Sequence, residues 1–121
     1  MARGTHYGAA AEYARKKFGG DLVESERIES VGTVPEVLSG RDPERVFVMF
    51  INLGANSVFL RVNGNPAVNS GILLSAQGGF ISFDAENDAT LPAKEFAAIA
   101  AVAASDVYVL TLRRETIRRG E

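Results

Sequence analysis

The chain has no cysteine and no tryptophan, and its single histidine is His6. Without cysteine there is neither a disulfide framework nor a thiolate metal site, so stability has to come from packing. One histidine in an N-terminal segment leaves Ser-His-Asp and Cys-His triads with at most one base and gives zinc too few ligands. Long apolar runs are also missing. No stretch approaches the roughly 20 apolar residues that cross a bilayer. The opening residues MARGTHYGAA lack a basic segment followed by an apolar one, so no membrane partner and folding in a cytoplasm are expected. Charge of one sign is not in excess either. Thirteen basic residues face 15 acidic ones, a net charge of −2, whereas nucleic-acid binders carry surplus Lys and Arg or a basic face. Nucleic acid is therefore not expected as a partner.

What is present suits one ordinary globular domain. The 121 residues are 46% hydrophobic and 23% charged, enough for a single core. The charges are unevenly spread. Residues 46 to 112 carry only seven, at Arg61, Asp84, Glu86, Asp88, Lys94, Glu95 and Asp106, and the rest lie in the first 45 and last nine residues. This predicts an extended arm over residues 1–45, an apolar body over 46–113 and a charged tail over 114–121.

Within the arm, good helix formers run from Ala9 to Phe18, with Ala11, Ala14 and Phe18 on one face and Gly19-Gly20 as a stop. A helix of about ten residues is marginal alone in water, so it needs a surface to lie on, and a second subunit is one source of that surface. Tyr7, Tyr13, Arg15, Lys16, Lys17 and Phe18 are therefore the candidate partner-binding residues of the arm. From Leu22 to Val31 acidic and apolar residues interleave without helical periodicity, and Gly32, Pro35, Gly40 and Pro43 punctuate the chain beyond.

The body opens with RVFVMFINL, Arg45 to Leu53, in which both alternating faces are apolar: Val46, Val48 and Phe50 on one side, Phe47, Met49, Ile51 and Leu53 on the other. A strand buried on both sides is predicted, as in a sandwich or at an oligomer interface. Further strands are predicted at Ser57 to Val62, Ile72 to Leu74, Phe80 to Phe83 and Val107 to Leu112. Gly54-Ala55-Asn56, Asn63-Gly64-Asn65-Pro66 and Ala76-Gln77-Gly78-Gly79 are the turns between them, the second closing a hairpin. Phe96 to Ala104 is rich in alanine, which favours helix, but it is short and leads straight into an alternating strand, so strand is predicted there too. The fold class is thus all-β: a single antiparallel β-sandwich with an extended N-terminal arm carrying a short helix.

Two charged clusters invite a functional reading. The tail RRETIRRGE holds Arg113, Arg114, Arg118 and Arg119, candidate contacts to an acidic neighbour, with a solvated end as the plain alternative. Asp84, Glu86 and Asp88, with Glu95 further on, have carboxylates at spacings found in calcium loops. Ala89 stands where an EF-hand needs glycine, however, and flanking strands replace the two helices, so a solvated loop is favoured and no metal or cofactor is expected. Phe47, Phe50, Phe59, Phe80 and Phe83 fall at strand positions without basic neighbours, which favours packing over base stacking. With neither nucleophile nor base assembled, no enzymatic activity is expected.

Across residues 48 to 113, about half the chain, INLGANSVFLRVNG, GILLSAQGGFISFD and EFAAIAAVAASDVYVL form a pattern that resembles small β-sandwich structural proteins of tailed bacteriophages. It is carried by Asn52, Gly54, Val58, Phe59 and Leu60, by Gly71, Leu74, Gly78 and Phe83, and by Phe96, Ala98, Ile99, Ala100, Val107, Val109 and Leu110. The resemblance implies a virion location and a structural role, first as a capsid decoration or cement subunit bridging capsid subunits through its arms. The alternative it implies is a tail, collar or head-fibre component acting as connector or carbohydrate-binding adhesion module. Its implied partners are the major capsid protein or other virion proteins and further copies of itself, a trimer being one form. The long charged segment before residue 46 departs from compact fibre modules and suits a cement or connector better.

Overall fold

The computed structural model describes residues 12, 13 and 15–115. After a short helical segment ending at Phe18 come eight strands: β1 (Asp21–Val31), β2 (Glu36–Ser39), β3 (Arg45–Asn52), β4 (Val58–Val62), β5 (Ile72–Leu74), β6 (Phe80–Asp84), β7 (Phe96–Ala100) and β8 (Ser105–Glu115). They form two four-stranded sheets, β1-β8-β3-β6 (sheet A) and β2-β7-β4-β5 (sheet B), with every ladder antiparallel. The protein is an all-β sandwich with a short N-terminal helix, as the alternating apolar runs predict. Only β4 and β5 are joined within a sheet. Every other link crosses from one sheet to the other, so consecutive strands are mostly opposite rather than beside each other.

The core lies between the sheets. Val31, Val48, Phe50, Phe83, Val107 and Val109 of sheet A meet Leu38, Val58, Leu60, Leu74, Phe96, Ala98 and Ala100 of sheet B. Phe96 is the central aromatic, with its ring centroid 5.0 Å from that of Phe50 and 5.5 Å from that of Phe83. Tilted and offset pairs at such separations add to the stabilisation from burying the rings.

At one end of the sandwich the buried Asn52 joins three connections. Its amide donates to the carbonyls of Asn56 (2.7 Å) and Leu74 (3.0 Å), while its oxygen accepts from the Gly54 amide (3.1 Å) and the Ser105 hydroxyl (2.7 Å). Gly54 is fixed by this packing: a Cβ there would run into the Ser105 side chain and sit 2.9 Å from its Cα. At the other end Arg45 is buried. Its guanidinium donates to the carbonyls of Pro92 (2.6 Å), Gly40 (2.9 Å) and Lys94 (2.7 Å) and lies 6.0 Å from the Phe96 ring centroid.

Three expectations change. Residues 21–39, assigned to an arm outside the body, are extended but belong to the sandwich: β1 pairs along its whole length with β8, and β2 pairs with β7. The sandwich body therefore begins at Asp21, not at residue 46. The physical reason is that β1 is an edge strand whose N-terminal half is wetted on both sides, so its sequence is polar on both faces and lacks the apolar alternation of a half-buried strand. Next, β3 is not buried on both sides. Val48, Phe50 and Asn52 face the core, while Phe47, Met49 and Ile51 are only half-buried on the outer side of sheet A. Last, Arg113 and Arg114 continue β8 rather than starting a tail, and residues 116–121 lie outside the described ones. Residues 84–92 are polar as expected but partly ordered, with a helical turn at Ala85–Asp88 and a 3-10 turn at Leu91–Ala93.

Candidate interaction faces

The strand registers build the outer face of sheet A row by row. Across β6, β3, β8 and β1 the first row is Phe80, Ile51, Tyr108 and Ile28; the second is Ser82, Met49, Leu110 and Glu26; the third is Asp84, Phe47, Leu112 and Glu24. Alternation sends these side chains away from the core, because their strand neighbours Val48, Phe50, Val107 and Val109 are fully buried between the sheets. The result is an apolar band with carboxylates along its rim. Its two most open members are Phe80, 66% exposed, and Ile28, 60% exposed. The hydroxyl of Tyr108 is pushed above its usual value, first by desolvation and then by the negative charges of Glu26 and Glu24 on the neighbouring strand.

The outer face of sheet B is apolar in the same way. Val37, Ala97 and Arg61 form one row across β2, β7 and β4, and Ile99, Phe59 and Leu73 form the next across β7, β4 and β5. Ala97, Ile99 and Phe59 are nearly covered, whereas Val37 and Leu73 at the flanks are each 54% exposed. Pro35, Asn63 and Pro66 stand beside Val37 and Ala97 and shape an open depression of about 350 Å³. Arg61 stands at an outward strand position of this face, and Glu36 and Glu95 also line the depression.

Of the candidate arm and tail residues, Arg15, Lys17, Phe18, Arg113 and Arg114 contact the body of the chain itself. Tyr7, Arg118 and Arg119, and His6 with them, lie outside the described residues. Arg15 pairs with Asp21 at 2.7 Å and Lys17 with Glu86 at 3.0 Å, while Lys16 and Tyr13 are exposed. The Lys17 ammonium is raised in pKa, first by its hydrogen bond to Glu86. The Phe18 carbonyl accepts from the Arg114 guanidinium at 2.9 Å. Arg114 also pairs with Glu44 at 2.7 Å, and Arg113 pairs with Asp42 at 3.0 Å. The surface under the helical segment is thus its own body, and these cations tie the 40–44 loop and the helix to β8.

The acidic loop is also accounted for. Asp84 caps the helical turn, accepting from the Asn87 amide at 2.7 Å, and the Asp88 carboxylate accepts from the Asp84 amide at 2.9 Å. That capping bond to Asn87 holds the Asp84 carboxyl below its usual pKa. Among the described residues no three His, Cys, Asp or Glu side chains converge as a metal site would need. Sequence reasoning looked to the termini for partner-facing residues and did not single out the exposed apolar side chains Ile28, Val37, Leu73 and Phe80. The available signal was the two-sided apolar pattern of β3, which only becomes a face once its neighbours in the sheet are known.

No protein-family model matches the chain, and no curated protein matches it. Among solved structures, the chain is similar to a subunit of the disulfide-linked pili formed by Bacillus endospore appendages. The identity is 11%, the TM-score 0.44, and the match covers 79% of this chain and 89% of that one.

Proposed function

We propose that this chain is a non-enzymatic structural subunit that works by packing its sandwich against other protein molecules. The observation that carries the reading is the apolar band on the outer face of sheet A, with Phe80 and Ile28 held open to solvent on ordered strands. Monomeric proteins seldom keep a contiguous apolar patch of this kind unless a partner covers it. Aromatic residues and methionine, the types enriched at protein interfaces, make up much of the band: Phe47, Phe80, Tyr108 and Met49.

The sequence resemblance to phage sandwich proteins supports a virion setting, with the protein decorating a capsid by contact with the major capsid protein or another virion protein. Because the described residues of the N-terminal region are built into the body, the contact is assigned to sheet faces rather than to reaching arms. The test is co-sedimentation of purified protein with expanded capsids of the same phage. Wild type is expected to pellet with the capsids and the Ile28→Asp/Phe80→Asp variant to stay in the supernatant. Wild type that fails to bind, or a variant that binds equally well, overturns the reading.

A further inference from the structure

Strand β1 ends sheet A on one side, and among the described residues no strand bonds to its outer edge. We infer that a second copy of this chain occupies that edge: two β1 strands pair antiparallel about a two-fold axis at Ile28 and join two A sheets into one. This names a partner and a geometry for the assembly reading above, on which it rests for the apolar band that the pairing lengthens.

Three observations carry it. First, β1 is the long edge. Natural edges are blunted by shortness, proline, charge, above all lysine, or a bulge. The other sheet edges are short, with four residues in β2, three in β5 and five in β6. β1 has eleven residues, no proline and no lysine, and its register with β8 runs without a shift from Asp21 to Val31. A row of unpaired backbone groups of that length is a template for another strand. Second, its charges select one register. A two-fold axis pairs β1 with itself so that residues equally far from the axis stand opposite each other. Centred on Ser25, the axis sets Glu24 against Glu26 twice; centred on Glu24, Glu26, Arg27 or Glu29, it sets that residue against its own copy. Centred on Ile28, it sets Arg27 against Glu29 twice, Glu26 against Ser30 and Ser25 against Val31, with no like charges opposed. Within one strand Arg27 already pairs with Glu29 at 2.7 Å, and its guanidinium also donates to the Leu38 carbonyl and the Ser39 hydroxyl, which anchors the pair. Two such pairs face to face make a ring of four charges alternating in sign. Opposite charges on neighbouring strands stabilise a sheet and like ones weaken it, so the charges that repel in the other registers favour this one. Third, the same register covers an open apolar residue. Ile28, 60% exposed, is the outermost member of the first row of the band, and across the axis it meets its own copy, so the two bands run together.

A two-fold contact uses the same surface on both molecules and closes on itself, so the product is a dimer and goes no further. The ladder runs from Ser25 to Val31 of each strand, a contact of the small class that forms weak, concentration-dependent complexes. The edge is therefore open in dilute solution and fills at high protein concentration or where a surface already gathers the subunits.

The experiment uses the full chain, with every variant confirmed as folded by its near-ultraviolet spectrum. In sedimentation velocity over a concentration series, wild type is expected to approach a dimer and stop there. Arg27→Glu and Glu29→Arg are each expected to dimerise several-fold more weakly, because each sets like charges opposite one another twice. Their equimolar mixture is expected to recover dimerisation, because every opposed pair in the heterodimer is again of opposite sign. The chain has no cysteine, so Ile28→Cys adds a single thiol that the axis places against its own copy. Under oxidised glutathione this variant is expected to form a disulfide-linked dimer, while Phe80→Cys, exposed on the far edge of the sheet, is expected not to. Wild type that is monomeric at every concentration, a mixture that associates no better than either variant alone, or a dimer that does not cross-link through Ile28→Cys overturns the inference. If a monomeric wild type nonetheless pellets with capsids, the structural reading stands and only the edge pairing fails; a dimer that leaves capsids bare keeps the pairing and removes the capsid reading.

Discussion

Arg45 shows how a single charged side chain can hold loops together from within. It points from the start of β3 into the space between the loops at Gly40 and at Pro92 and Lys94, and all three carbonyls accept from it. Burial lowers the pKa of the guanidinium, with the nearby Asp42 charge acting the other way. Methionine at this position would keep most of the stem and leave the three carbonyls without a donor. Arg45→Met is therefore expected to destabilise the fold by roughly 2–4 kcal/mol, read as a lower urea midpoint with an unchanged slope. Asp42, a few residues earlier, makes acid stability titratable. Its hydrogen bond to Arg113, before the bond from the Glu44 amide, holds its carboxyl below the ordinary value of 3.8. A carboxyl with a lowered folded value adds stability that is complete above the ordinary value and is lost as pH falls through the folded one. Thermal melts of wild type and Asp42→Asn are expected to differ at neutral pH and to converge as pH falls below the lowered value of the Asp42 carboxyl; a gap that stays constant with pH would discard this account. Arg45 itself was read as the first residue of a strand, but nothing in its spacing reveals three carbonyls gathered from residues five to 49 positions away.

Among the elements, those with alternating apolar residues on a covered face were legible, and those at the margins were not. Strands β3 to β8 fall where the apolar runs and glycine turns place them, except that β7 ends at Ala100, short of the expected Ala104, and residues 101–103 bend before β8 begins at Ser105. They include β7, where alanine propensity pointed to helix. There the demand for small side chains prevailed, with Ala98 and Ala100 fully buried against sheet A. β1 was not legible as a sandwich strand because DLVESERIESV has water along one edge and, at Val23 and Ser25, on both faces. β2 is four residues long with a register shift between Val37 and Ser39, too short to show a period. The candidate faces were half legible: the outward apolar set of β3 was visible, but the rows across neighbouring strands depend on registers that a linear pattern does not contain. Hydrogen exchange follows from the same strand order. β8 is bonded to β1 on one side and to β3 on the other, while β1 has one free edge. Amides of Val107 to Thr111 are expected to exchange slowest, and those of β1 directed to its free edge fastest. Uniform protection across β1 in dilute solution would mean that another strand covers that edge.

At the scale of the whole molecule, sheet A places the first strand of the sandwich beside the last. β1 and β8 are paired from Asp21 with Glu115 to Val31 with Ser105, and β8 alone joins β1 to β3 and β6. A polypeptide ending at Ala104 would keep the strands of sheet B but split sheet A into an unattached β1 and a β3-β6 pair, too little to cover the core. It is expected to show a poorly dispersed amide spectrum and no cooperative melt; a cooperative transition would mean that sheet B and the β3-β6 pair suffice. The same order bears on synthesis. Translation at about 5–20 residues per second leaves on the order of ten seconds between the appearance of β1 and that of its partner. Throughout that interval Val48, Phe50 and Phe83 are without the strand that seals their sheet. The nascent chain is thus at its stickiest until β8 emerges, and a ribosome stalled within the eleven codons of that strand would release a product prone to clump.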